Sequence, residues 1–328
     1  MQQSSTSHTT TTNTTAGAAA KRGSSIRRAS GSSPHIKLEG KLKTLLKKHF
    51  GSTKHKEVKQ AIDELTPHNP TAEPTKSPLL VGDFICHTIP EFPGRIKTQN
   101  KEIIQYTLGR LSFGVFQPHS LVCTIRSVRQ SIRVRIATKT GKFKMYEYPV
   151  MMDLTVHTPN GEDLPAVVSH DAICYECPKQ PHRMKVTFKG STLMPSREVL
   201  MNEELMNVWM ETFEGAYEKA ALERNILSRT LRSMMAWWFQ MTLPSDEEMQ
   251  NTQDHSVHFE MKRAPKGHLD ILYLSDTTRI TKGNRGTLVV VEPVDCTIEE
   301  GEATTGRDEL VPALVGEEPL AVLTEVEA

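Results

Sequence analysis

Residues Leu269–Val291, read as LDILYLSDTTRITKGNRGTLVVV, alternate apolar and polar positions, break at a stretch carrying Gly283 and Gly286, and resume as a β-branched run. Period-two alternation places every second side chain on one face of a strand, and glycine accepts turn conformations that other residues resist. The stretch predicts a closing β-hairpin with strands at Leu269–Leu274 and Thr287–Val291. An isolated hairpin is marginal in water, so it needs partners. Strand-like segments occur at Asp83–Thr88, Ile103–Ser112, Leu121–Ser127, Ile132–Lys139, Lys144–Val156, Ala172–Cys177 and Arg183–Phe188, bounded by Gly, Pro, Asn or Asp, with Pro159-Asn160-Gly161 the clearest turn. Roughly eight or nine such strands suit a closed up-and-down barrel.

Two regions depart from this pattern. Leu38, Leu42, Leu45, Leu46, Phe50, Val58, Ile62 and Leu65 recur at helical spacing with an interruption near Gly51 and Ser52, which predicts two short helices. Lys41, Lys43, Lys47 and Lys48 decorate the first. Such a helix can lie on an anionic membrane surface, but its commoner fate is to pack on its own domain with its lysines in water. Between Arg197 and Leu243, Leu205, Trp209, Phe213, Tyr217, Leu227, Leu231, Met235 and Trp238 form a second helical stripe. Pro67, Pro70, Pro74 and Pro78 predict an extended linker between the first helices and the first strand, and Pro244–Pro265 a polar loop before the closing strands.

The pattern Tyr-Leu-x-x-x-x-Arg-Ile-x-x-Gly-x-x-Gly, carried here by Tyr273, Leu274, Arg279, Ile280, Gly283 and Gly286, resembles the C-terminal signature of the plastid lipid-associated proteins, the fibrillins. A second match lies at the other end of the domain, where Asn69, Pro70, Pro74, Ser77, Pro78, Leu79, Leu80 and Gly82 precede an aromatic residue that starts the first strand. That aromatic is usually Trp in the family and is Phe84 here. The resemblance implies a mainly β fold, an antiparallel lipocalin-like barrel with an N-terminal amphipathic helical segment. The helical region at 197–243 is an insertion relative to that pattern, placed before the closing hairpin, and its role is not inherited. The expected organisation is a Ser/Thr-rich basic tail (1–35), a barrel domain (36–293) and an acidic tail (294–328). The resemblance also implies a non-catalytic protein of the plastid (chloroplast), of plastoglobule or thylakoid type, that binds a lipid surface or a lipophile such as an isoprenoid, quinone, carotenoid or acyl lipid. A structural or scaffolding protein with a self-filled barrel, its helices and acidic tail binding protein partners, is the alternative.

Composition narrows this further. The formal charge is +1, so no overall field favours nucleic acid, and nucleic acid is not an expected partner. No run reaches the roughly 18 to 20 apolar residues that cross a bilayer, so membrane contact is expected to be peripheral at most. Residues Met1–Ser33 lack any acid and carry Lys21, Arg22, Arg27 and Arg28, a composition shared by transit peptides and by disordered tails. The composition does not separate the two, and the fibrillin resemblance implies a plastid location, with cytoplasm the alternative. Five cysteines, Cys86, Cys123, Cys174, Cys177 and Cys296, are an odd number at irregular spacings, which argues against a secreted disulfide framework.

Candidate sites follow from these readings. Phe84 and Arg279 are expected to meet across the first and last strands as a cation–π pair closing the barrel, with Gly82, Gly283 and Gly286 supplying backbone conformations. Any ligand belongs in the barrel interior, and no cofactor is required. Trp237 and Trp238, flanked by Met234, Met235 and Phe239, suit either a lipid interface or packing on the barrel. Cys174-Tyr-Glu-Cys177 between His170 and His182 is one Cys-x-x-Cys without a second pair, so no metal is expected there. No Gly-x-Ser-x-Gly elbow, zincin helix or Rossmann fingerprint is found, and no catalytic residue is named. His119, His157 and His170 are expected in loops or at the rim.

Overall fold

The computed structural model describes residues 34–137, 144–222, 238–242, 244–247 and 252–294. The helices α1 (Pro34–Lys48) and α2 (Lys56–Leu65) come first. Three single 3-10 turns follow at Thr66–His68, Pro74–Lys76 and Pro78–Leu80, each with Pro at its first or second position. Proline's missing N–H costs nothing there and its fixed φ already fits, so the expected extended linker is corrected to a series of turns.

The remaining elements are β1 (Gly82–Cys86), β2 (Ile104–Thr107), α3 (Leu108–Leu111), β3 (Val122–Ala137), β4 (Lys144–Glu147), β5 (Val150–His157), β6 (Asp163–Cys177) and β7 (Gln180–Pro195). After these come α4 (Arg197–Leu200), α5 (Glu203–Phe213), α6 (Ala216–Leu222), β8 (Val257–Glu260), β9 (Lys266–Leu274), β10 (Arg279–Gly283) and β11 (Leu288–Pro293). Eight strands close a ring of antiparallel pairs in the order β1-β3-β5-β6-β7-β9-β10-β11 and back to β1. Around the ring, β2 adds to β3, β4 bridges β3 and β6, and β8 adds to β7. The chain is thus mainly β with a closed lipocalin-like barrel and a few helices.

Several boundaries differ from the sequence reading. The segments at 121–127 and 132–139 form one strand, β3, and the strand expected at 172–177 begins at Asp163. A bulge at Ile125/Ser127 shifts the phase of alternation within β3, and Lys189, the extra residue opposite Asp171/Ala172, shifts it within β7; a bulge breaks period-two patterning without ending a strand. The closing hairpin is a three-stranded meander, since β10 intervenes after a tight turn in which the Ser275 N–H donates to Thr278 O at 2.9 Å. Within the expected loop at 244–265, β8 pairs with Leu193, Thr192, Ser191 and Gly190 of β7.

The barrel's outer wall over β9–β11 is covered by the N-terminal helices. Tyr273, Ile280 and Val290 face outward and pack with Leu42, Leu46, Val58, Ala61, Ile62 and Leu65. Glu39 of α1, buried, accepts hydrogen bonds from the Tyr273 hydroxyl and, at 2.5 Å, from Thr277 Oγ1. Burial pushes the Tyr273 phenol above its ordinary value, and the Glu39 bond adds to the shift. Three lysines of α1 are paired, Lys41 with Glu64, Lys43 with Glu292 and Lys48 with Glu57. The amphipathic stripe therefore belongs to the protein's own core.

One end of the barrel is filled by Leu154, Ala166, Val168 and Leu193, which share a cluster with Leu108, Phe116, Trp209, Phe213 and Phe259. Asn202 caps α5 by accepting from the N–H groups of Glu204 and Leu205. Trp209 and Phe213 are fully buried with ring centroids 4.3 Å apart, so α5 covers this end. The expected helical span of 197–243 is corrected at its far end, where Met241 forms an antiparallel bridge to Met261. Residues 223–237, including Leu227, Leu231, Met234, Met235 and Trp237, lie outside the described residues, as do both tails and Cys296. Among the described residues no helix is long and apolar enough to cross a membrane.

Candidate ligand site in the barrel

The antiparallel register determines which side chains share the interior. Phe84 of β1 opposes Gln130 of β3, Cys86 opposes Val291 of β11, and Val291 opposes Arg279 of β10. Directly opposed residues point the same way from a sheet, so Phe84, Cys86, Gln130 and Arg279 all project inward. The Arg279 guanidinium carbon sits 3.9 Å from the centroid of the Phe84 ring. Arg279 is 1% exposed and Phe84 2%, so their attraction acts in a dry setting, where a cation–π contact reaches about 2 kcal/mol.

The guanidinium is only partly satisfied. Its Nη2 donates to Gln130 Oε1 at 2.7 Å, whereas Nε and Nη1 find no acceptor among the described residues. Among the described residues no carboxylate forms a salt bridge with Arg279. Burial pulls it below the ordinary guanidinium value, while Tyr148, Cys86 and Cys174 push the other way. Burial also raises the Tyr148 phenol and lifts the Cys86 and Cys174 thiols to about 12, so all three remain neutral at pH 7. A single cation with two free donors thus stands among neutral groups. Ile132, Tyr146, Ala172, Met184, Val186, Ile271 and Leu274 form the apolar wall of the same half of the barrel.

The expected glycines divide. Gly82 and Gly286 have φ of +145° and +80°, in the region that favours glycine. Gly283 does not, and a Cβ there would meet nothing closer than Thr287 O at 3.8 Å, so the expected backbone requirement is corrected at that position. Trp238 is 64% exposed while its neighbour Phe239 packs on the core.

Cys174 is buried and Cys177 half-buried on β6, and the two do not gather with His170 and His182 into a group of metal ligands. His119 lies in a loop, as expected. His170 is instead within β6, opposite Val150 and Ser191, on the face that carries Val168 and Ala172 inward, and burial lowers its pKa to about 4. His157 ends β5 in a chain of hydrogen bonds on the outer face. Its Nδ1 is 2.6 Å from Asp163 Oδ1 and its Nε2 2.7 Å from Thr124 Oγ1, which also accepts from Gln105 Nε2 at 3.0 Å. Gln130, Cys86, Tyr148 and Cys174 were not named from sequence as neighbours of Arg279. Their signal is parity with Phe84, visible only once the register is fixed.

No family model matches the chain, and no solved structure matches it. Over 130 residues, 40% of this chain, it is 32% identical to the dual-specificity RNA methyltransferase RlmN of Brucella anthropi and 31% identical to that of Brucella ovis. The shared stretch spans 31% of each of those proteins, so the chain covers about a third of the length of the curated relatives it matches. The expectation of a non-catalytic protein is corrected by this finding, because the proteins it resembles over that stretch are methyltransferases.

Proposed function

We propose that the barrel binds an amphipathic small molecule, a long-chain carboxylate, with the anionic end at Arg279 and the chain along the apolar wall. The supporting observation is a fully buried guanidinium with Nε and Nη1 unsatisfied and no acidic partner among the described residues. A buried donor without an acceptor costs about 1 to 3 kcal/mol, and a carboxylate offers two oxygens in the geometry of a guanidinium fork. Burial of the ligand's hydrocarbon at roughly 25 cal/mol per Å² drives uptake. Among the lipophiles that the fibrillin resemblance implies, an acyl lipid bearing a carboxylate suits this site. Isoprenoids, quinones and carotenoids bring no anion to the cation. Plastid residence and a plastoglobule or thylakoid surface rest on the same resemblance and belong to this proposal.

The test is organic extraction and mass spectrometry of the purified full-length chain, followed by calorimetry of the delipidated protein with a long-chain fatty acid and the alcohol of equal length. Copurification of acyl carboxylates, and an Arg279→Met variant that binds the acid at least about 100-fold more weakly with little change for the alcohol, are the expected results. Each charged hydrogen bond contributes about 1.5 to 3 kcal/mol, and each 1.4 kcal/mol is about tenfold. Barrels that extract empty and bind neither ligand support the self-filled scaffold instead.

The partial similarity to RNA methyltransferases favours a second reading, methyl transfer to RNA. Incorporation of a labelled methyl group into RNA by the purified chain tests it, and incorporation no greater than in the absence of protein removes it.

A further inference from the structure

The corner between α1 and α2 carries a cluster that neither reading uses. His49 directly follows α1, His55 is the residue before α2, and Glu57 lies in the first turn of α2. The three residues each bring one ligand atom to a place where all three atoms lie within 4.8 Å of one another. His49 Nε2 is 2.9 Å from Glu57 Oε2, and the His49 and His55 rings stack with centroids 3.5 Å apart and planes 15° off parallel. We propose that His49, His55 and Glu57 bind a single zinc-class divalent cation, with a water molecule in the fourth position.

Zinc takes imidazole nitrogen at about 2.0 to 2.1 Å and carboxylate oxygen at about 2.0 to 2.2 Å, which in a tetrahedron sets neighbouring ligand atoms roughly 3.3 Å apart. The three atoms already lie within 4.8 Å of one another, and because a metal sits in the plane of each imidazole it binds, binding requires one of the stacked rings to turn out of the stack. The backbones that carry them are held in place. Leu42, Leu46, Val58, Ala61, Ile62 and Leu65 anchor both helices on the barrel wall, and the corner is pinned by the Gly51 N–H donating to Leu46 O at 2.7 Å and the Ile89 N–H donating to Gly51 O at 3.2 Å. Little ordering entropy then opposes binding. Two imidazoles and one carboxylate form a donor set that suits zinc, nickel or copper better than magnesium or calcium. The site is accessible, since His49 also lines an open groove of about 470 Å³.

Lys48 identifies the competitor. Its Nζ is 3.0 Å from the same Glu57 oxygen, and a dication there displaces and repels the ammonium. Removing that amine therefore strengthens binding, an effect that a lysine with a merely structural role would not produce.

The experiment is calorimetric titration of the full-length, chelator-treated chain with Zn²⁺, using His55→Gln, Glu57→Gln and Lys48→Met. The expected results are one zinc per chain, a loss of affinity of at least about tenfold in each ligand variant, and a gain of about threefold or more in Lys48→Met. Glu57 and His55 are exposed at the surface, so both ligand variants should fold, and melting temperatures without zinc within a few degrees of wild type verify this. A wild-type chain that takes up no zinc, ligand variants that bind zinc as tightly as wild type, or weaker binding in Lys48→Met overturns the proposal.

Discussion

Replacing Arg279 by Met tests whether the buried cation stabilises the barrel or is tolerated by it. The substitution removes the contact with Phe84, worth about 2 kcal/mol in a desolvated setting, and the charged hydrogen bond to Gln130, worth about 1.5 to 3 kcal/mol. Against these stands the removal of an ion whose burial costs several kcal/mol even after relaxation, and of two donors, Nε and Nη1, that have no acceptor among the described residues. Losses of roughly 3.5 to 5 kcal/mol thus meet a comparable relief. The expected outcome for the delipidated protein is a stability within about 2 kcal/mol of wild type, although truncation of so buried a residue ordinarily costs about 2 to 5 kcal/mol. Urea denaturation at constant m-value provides the measurement. Adding Gln130→Leu should restore about 1 kcal/mol, because the single variant strands a buried amide oxygen. Phe84→Leu in both backgrounds closes a double-mutant cycle with an expected coupling of about 2 kcal/mol. A loss above about 4 kcal/mol for Arg279→Met, or a cycle additive within about 0.5 kcal/mol, refutes the reasoning.

Glu39→Ala leaves the Tyr273 and Thr277 hydroxyls without their shared acceptor and should cost about 2 to 4 kcal/mol in chemical denaturation. Trp209→Ala opens a cavity where α5 covers the barrel end and should cost about 3 to 5 kcal/mol by the same measurement. Burial lowers the His170 pKa from 6.5 to about 4, so between those values the unfolded chain binds a proton that the folded chain does not. Stability present above pH 6.5 is then lost as pH falls toward 4, by at most about 3 kcal/mol since the ring keeps a partly exposed edge. Comparison of wild type with His170→Asn across that window isolates the effect, and parallel profiles would count against it.

The sequence made the closed barrel legible because its strands are short, alternating and bounded by turn residues, and because Phe84 and Arg279 mark its two ends. It concealed the true strand lengths. Gln130, His170 and Ser191 put polar side chains on inward positions, and the bulges at Ile125/Ser127 in β3 and at Lys189 in β7 reverse the phase of alternation partway along those strands. Four-residue β8 gave too little pattern to detect. The candidate site was legible as a pair only, since its other members come from the end of β1, from β3, β4–β5 and β6, and only the register brings them near Arg279. The zinc-class cluster was hidden differently. His49, His55 and Glu57 read as helix-end residues until the corner folds back and stacks the two rings.

The barrel closes between its first and last strands, β1 with β11, and its outer wall joins α1 to β9–β11. This arrangement has a consequence for synthesis on the ribosome. The contact between His87 and Glu292 spans 205 positions, and that between Glu39 and Tyr273 spans 234. At roughly 5 to 20 residues per second, the edge of β1 and the apolar stripe of α1 wait on the order of 10 to 40 seconds for partners that emerge last. Closure is thus a late, long-range event of the kind that folds slowly, and a chain that stalls before β9 begins at Lys266 presents an open strand edge and an uncovered helix together.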